Sequence, residues 1–160
     1  IPSMERVVTV TGDGVVNPGN YKVLFGTNQN ELVEAAGGLK EGCEKVISGG
    51  PMMGFAMYTT DTPITKTSSS ILCMSKDEVS ACEPTACINC GRCVDACPSR
   101  IIPSRLADFA ERHDEEAFLK FNGLECVECG SCSYVCPAKR QLKQAIGSMR
   151  KTALANRRKK

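Results

Sequence analysis

Residues 87–98 read CINCGRCVDACP, and residues 126–137 read CVECGSCSYVCP. Both follow the pattern Cys-x2-Cys-x2-Cys-x3-Cys-Pro, with Gly directly after the second Cys. Three thiolates at this spacing can wrap one small inorganic cube. The Gly after the second Cys (Gly91, Gly130) permits a tight backbone that brings N–H groups toward sulfur. The Pro after the fourth (Pro98, Pro137) ends the local turn and carries no competing donor. The pattern matches the bacterial 4Fe–4S run, in which the fourth Cys serves the other cluster. The expectation is therefore two clusters with exchanged ligands. Cys87, Cys90, Cys93 and Cys136 would hold one, and Cys126, Cys129, Cys132 and Cys97 the other. Each fourth Cys is expected at the start of a departing helix, its side chain aimed away from its own cube.

The competing reading is two zinc sites of four thiolates, forming a metal-stapled interaction module with no redox role. Zinc ligands usually come as separated Cys-x2-Cys pairs, so the duplicated ladder favours clusters. Histidine ligation is excluded for any cluster, because His113 is the single His and lies between the ladders. His113 is expected at a helix C-terminus, facing solvent. Three cysteines remain outside the ladders: Cys43, Cys73 and Cys82. All three are expected to be unligated small side chains.

Working outward, the chain has 160 residues, 11 Cys and no Trp. An odd cysteine count argues against a closed disulfide framework and for a reducing compartment. No apolar run approaches the roughly 18 residues of a membrane span, and no signal peptide is visible. The start at Ile1-Pro2 leads to the expectation that the chain is a piece of something longer. The net charge of +2 hides an asymmetry: residues 139–160 carry nine Lys or Arg and no acid. The first 138 residues then hold 11 basic and 18 acidic side chains, a net of −7. The basic tail is open to three readings. It can be a solvated helix face or an electrostatic dock on acidic protein or anionic lipid. Nucleic-acid binding is disfavoured because no aromatic side chains interleave the charges.

Residues 1–73 read as one α+β module. Arg6–Thr11 alternates as a strand, Gly12-Asp13-Gly14 turns, and Tyr21–Phe25 forms a second strand. Thr27 or Asn28 caps a helix with Leu32, Val33 and Ala36 on one face, ended by Gly37-Gly38. Lys45–Ser48, Ile64–Thr67 and Ser70–Cys73 are further strands. Gly49-Gly50-Pro51-Met52-Met53-Gly54 is no phosphate loop, since no Lys-Ser/Thr follows and Pro51 removes a donor. It reads as a tight loop with Met packing, or as an apolar sleeve over a cluster. Gly12-x-Gly14 is too short for a dinucleotide fingerprint. Asp13, Glu31 and Glu34 form no catalytic constellation. Residues 74–86 are a connector, with Ser75 capping a short helix. Residues 87–138 carry the ladders. Between them Pro103-Ser104 opens one helix, and Asp114 caps another that Asn122-Gly123 closes. Residues 139–160 form a basic C-terminal helix with Leu142, Ala145, Ile146, Met149 and Ala153 on its apolar stripe.

The stretches VTVTGDGVVNPGNYKVLFGT, ELVEAAGG and VISGGPMMG, followed by the two ladders, resemble the C subunits of the Rnf electron-transport complex (the RnfC family). The Gly-Gly-Pro-Met-Met-Gly upstream of the ladders is the most specific part of that likeness. The resemblance implies a soluble-ligand-binding β-grasp (SLBB) module followed by a helical two-cluster ferredoxin domain. It implies an electron relay inside a complex that exchanges electrons between ferredoxin and NAD and pumps Na⁺ or H⁺. It further implies peripheral association, through other subunits, with the cytoplasmic face of the cell membrane. FMN and NADH would belong to an upstream domain of the longer chain. A second family with similar parts is the cobalamin reductase of propanediol-utilising microcompartments.

Overall fold

A computed structural model describes residues 2–78 and 81–159. It divides into two compact units, Ile1–Ala81 and Cys82–Lys160.

The first unit is built on a five-stranded sheet in the order β2-β1-β5-β3-β4. Strand β1 (Glu5–Thr11) runs antiparallel to β2 (Gly19–Leu24) and parallel to β5 (Ser70–Met74). Strand β3 (Lys45–Ser48) is antiparallel to β5 and to the edge strand β4 (Phe55–Met57). The alternation in β1 has its physical consequence in burial: Val8 and Val10 are fully buried while Val7 faces solvent. Period-two side-chain placement puts them on opposite faces. Helix α1 (Gln29–Ala35) is capped by Asn28, whose Oδ1 accepts the Asn30 N–H at 2.9 Å. Leu32, Val33 and Ala36 then close over Val8, Val10, Val15, Ile71 and Cys73. The Gly12-Asp13-Gly14 turn is pinned against β5. Gly12 has φ +113°, and a Cβ there would lie 1.9 Å from the Cys73 carbonyl oxygen. The Gly14 N–H donates to that same oxygen at 3.0 Å.

Two readings of this unit are corrected. Ile64–Thr67 is not a strand. Ile64 is buried in the core, but the following hydroxyls bond locally: the Ser68 Oγ accepts from the Thr65 N–H at 3.0 Å. Such side-chain bonds compete with a ladder. The 49–54 stretch is the turn of the β3–β4 hairpin, and Met52 and Met53 are both exposed, so Met packing does not hold it. Phe55–Met57 directly follows it as a strand that the glycine-rich run concealed. In the connector, Ser75 caps no helix across residues 75–78. Its N–H and hydroxyl both donate to the Asp13 carboxylate instead. The rest of that expected helix reaches residues 79 and 80, which lie outside the described residues.

The second unit is helical. Its elements are α2 (Arg92–Asp95), α3 (Pro103–Glu111), α4 (Glu115–Lys120), a 3-10 turn at Gly123–Glu125, α5 (Ser131–Tyr134) and α6 (Leu142–Lys159). Pro103 opens α3, where its missing N–H costs nothing. Asp114 caps α4, its Oδ1 accepting the Ala117 N–H at 2.9 Å. His113 follows α3 in the left-handed region, exposed. Helices α3 and α6 pack on each other, and their stripes meet in one core: Leu106, Ala107 and Ala110 from α3, Leu142, Ile146 and Met149 from α6, with Phe118 from α4. The cysteine-bearing loops Cys87–Gly91 and Cys126–Gly130 precede α3 and α6 respectively, each followed by a one-turn helix.

Candidate iron–sulfur sites

Each ladder turns the same way. Asn89 and Glu128, two residues after the first Cys, both have φ 54°. Gly91 and Gly130 follow in the left-handed region at φ 78° and 83° and open α2 and α5. The left-handed steps turn the loop back on itself, and the Glu128 N–H donates to the Cys126 sulfur at 3.4 Å. This is an N–H···S contact of the kind that the ladder's tight backbone favours.

The fourth cysteines do not start helices. Cys97 and Cys136 come just after α2 and α5, which carry the third cysteines Cys93 and Cys132. The one-turn helix redirects the chain before the fourth Cys is reached, and α3 and α6 begin several residues later. One cavity, of about 100 Å³, is lined by Cys87, Cys90, Cys93 and Cys136. Another, of about 20 Å³, is lined by Cys97, Cys126, Cys129 and Cys132. The second ladder starts 39 residues after the first, and nearly every position lining one cavity has its 39-residue counterpart lining the other. Ile146 also lines the second, where its counterpart Ala107 does not line the first. Among the described residues no three His, Cys, Asp or Glu side chains converge on a single-ion position. Each set of four thiols lines a cavity, and an all-thiol donor set around a cavity fits a 4Fe–4S cube.

The two voids differ in environment. Cys87 and Cys90 are exposed, whereas Cys126 and Cys129 are half-buried and Cys132 is buried. Burial pushes the Cys132 thiol up to about 11 and raises Cys126 as well. Cys129 is held below its ordinary value by hydrogen bonding from Ser131, whose Oγ lies 3.4 Å from its sulfur. Three charged side chains line the voids, Arg140 the first and Glu128 and Lys143 the second, and their place there is not legible from spacing. Arg140 lines the first cavity, and its Nη2 donates to Asp108 at 2.9 Å and to both Glu111 oxygens at 2.9 and 3.0 Å. Burial works against its charge, but these bonds prevail and hold its pKa above the ordinary arginine value. Glu128 lines the second cavity and accepts a hydrogen bond from Arg150 at 3.3 Å. The remaining cysteines lie elsewhere. Cys73 is buried in the sheet, where desolvation lifts its thiol to about 11; Cys43 is partly buried and Cys82 exposed.

Comparison with known proteins bears on the same residues. A family model described as a 4Fe-4S dicluster domain matches residues 86–140, and one described as an SLBB domain matches residues 7–56. The C subunit of the Na⁺-translocating ferredoxin:NAD⁺ oxidoreductase complex of Acetobacterium woodii is 40% identical over 159 residues. That alignment takes in 99% of this chain. The chain belongs to the RnfC family. The C subunit of the proton-translocating ferredoxin:NAD⁺ oxidoreductase complex of Clostridium ljungdahlii is 47% identical over 147 residues, covering 91% of this chain. The C subunit of an ion-translocating oxidoreductase complex of Yersinia enterocolitica is 42% identical over 116 residues, covering 72%. The chain spans 36%, 32% and 17% of these three relatives respectively. This RnfC family member is α+β, with an SLBB domain and a 4Fe–4S dicluster domain, and its cofactors are two 4Fe–4S clusters.

Proposed function

We propose that the chain is an electron relay within a membrane-associated ferredoxin:NAD⁺ oxidoreductase coupled to ion translocation. The observation that carries this reading is the crossed lining of the two cavities, each with three cysteines of one ladder and the fourth of the other. Cys87, Cys90, Cys93 and Cys136 are the ligands of one cluster, and Cys126, Cys129, Cys132 and Cys97 those of the second. The clusters supply reversible one-electron chemistry when bound. The chain supplies eight thiolates, backbone N–H groups aimed at sulfur, and an apolar helical packing that limits water. Exchanged ligands keep the two sites close enough for direct transfer.

The remaining assignments rest on the family resemblance, with the relatives' names and the chain's architecture in support. Residues 1–73 act as a docking and spacing module, 74–86 as a connector, 87–138 as the cluster-bearing part and 139–160 as a basic helix. Partners are the other subunits of the complex and an upstream flavin domain of a longer chain that holds FMN and NADH. Among the described residues no helix is long and apolar enough to cross a membrane. The family resemblance supports peripheral association at the cytoplasmic face. Anaerobic reconstitution of the chain should give about eight iron and eight acid-labile sulfide per chain, the content of two cubes. A preparation that holds zinc and no sulfide would overturn the relay.

A further inference from the structure

The 39-residue repeat provides an internal control on charge. Four residues after Cys136 stands Arg140; four after Cys97 stands Ile101. Each lines the cavity that its own fourth Cys enters, so the same place beside the two sites holds a cation in one and an alkyl group in the other. Among the described residues Arg140 is the only charged side chain lining the first cavity. Its side chain is 11% exposed, so water screens it little. Its carboxylate partners are wetter, Asp108 at 39% and Glu111 at 56%, and neither lines that cavity.

We propose that Arg140 is the positioning charge that sets the reduction potential of the Cys87, Cys90, Cys93 and Cys136 site, with Asp108 as its opposing trim. This rests on the ligand sets proposed above. Reduction by a one-electron donor adds one negative charge to the site and leaves the donor oxidised by one electron. A fixed cation beside the site stabilises that added charge, so it makes the site easier to reduce. Arginine is charged at every working pH, so the effect does not titrate away. Asp108 and the more exposed Glu111, both bonded to the guanidinium, offset part of it. At the second site Ile101 offers no such charge, and Glu128 and Lys143 on its lining are of opposite sign.

The experiment is a dithionite-poised redox titration of the full reconstituted chain, followed by EPR, with Cys90→Ser marking which signal belongs to the first site. In Arg140→Gln the reduced-to-oxidised ratio of the first site at a fixed potential should fall about tenfold, equivalent to about 59 mV for one electron. The second site should not move. Arg140→Lys should keep most of the original ratio, and Asp108→Asn should shift it the other way. A general loosening of the fold would not produce opposite signs at two bonded residues. An unmoved first site, equal shifts at both sites, or a Lys variant as impaired as the Gln variant would overturn the proposal. Two normal signals accompanying such a result leave the ligand sets standing. Failure of either signal to form in the unmodified chain would overturn both.

Discussion

Asp13 shows how a residue can look featureless in sequence and hold a fold together. It sits between two glycines in a turn and takes both the N–H and the hydroxyl of Ser75, tying the β1 end to a residue 62 positions later in the chain. These bonds hold its carboxyl below the ordinary value. A group with a depressed folded pKa stabilises above the unfolded value of about 3.9 and loses that contribution as pH falls through the folded value. Asp13→Asn should therefore lower the first unit's stability at neutral pH, and the gap to the parent should close as pH falls below the unfolded value. Urea melts at several pH values check this. Gly12 next to it is a steric case. Its positive φ and the 1.9 Å approach of a Cβ to the Cys73 carbonyl mean that Gly12→Ala must break the β1–β5 junction. Severe loss of soluble, folded protein is expected, read by circular dichroism. At the ladders, Cys97→Ser should disturb the EPR signal of the Cys126, Cys129 and Cys132 site before that of its own ladder. A lesion confined to the Cys87, Cys90 and Cys93 site would refute the crossed assignment.

Among the elements, helix α4 is short, six residues, and cannot stand by propensity. It is held by its Asp114 cap and by Phe118, which is fully buried against Gly123. A Cβ on Gly123 would come within 2.3 Å of the Phe118 ring, so the glycine makes room for the aromatic. Phe118→Ala should cost about 3–5 kcal/mol, as for other buried aromatic truncations. Asp114→Ala should cost about 1 kcal/mol through loss of the cap. Chemical denaturation of the reconstituted chain measures both. Both helices of the α3–α6 pair are legible from their periodic apolar stripes, and α3 also from its Pro103-Ser104 start. The one-turn helices α2 and α5 are not, because four residues carry no periodicity. What marks them is the left-handed Gly before each, a conformational feature that shows in sequence only as a glycine. Strand β4 escapes for a related reason: three residues after a glycine-rich turn give no alternation to read, and their pairing with β3 decides them.

At the scale of the molecule, each unit has its own apolar core, one on the sheet and one between α3, α4 and α6. The second core includes Cys132 and takes in Cys93, Cys97, Cys126 and Cys136 at its edge. On the ligand sets proposed above, holding the clusters would be part of folding that unit, since ligand binding energy becomes folding energy. Chelation or oxidative loss of iron should collapse helical signal from the second unit while the amides of β1 and β5 stay protected. Hydrogen exchange on the holo and iron-stripped chain reads this directly. Equal loss of protection in both units would show that the cores are not separate.

The ladder spacing, Gly91, Gly130, Pro98 and Pro137 were enough to specify eight thiols and the class of group they suit, because ligand chemistry is a local property of residue type and interval. The alternation of β1, the Asn28 and Asp114 caps and the stripe on α6 were legible for the same reason: each is a rule of a few neighbouring residues. Tertiary structure alone decided which residues far apart in sequence meet. It set Ile146 against the second void and turned Ser75 onto Asp13. It also placed Arg140 between Asp108 and Glu111 at the rim of the first. Those encounters depend on how two helices of an imperfect repeat pack across a common core, and no interval along the chain encodes a packing angle.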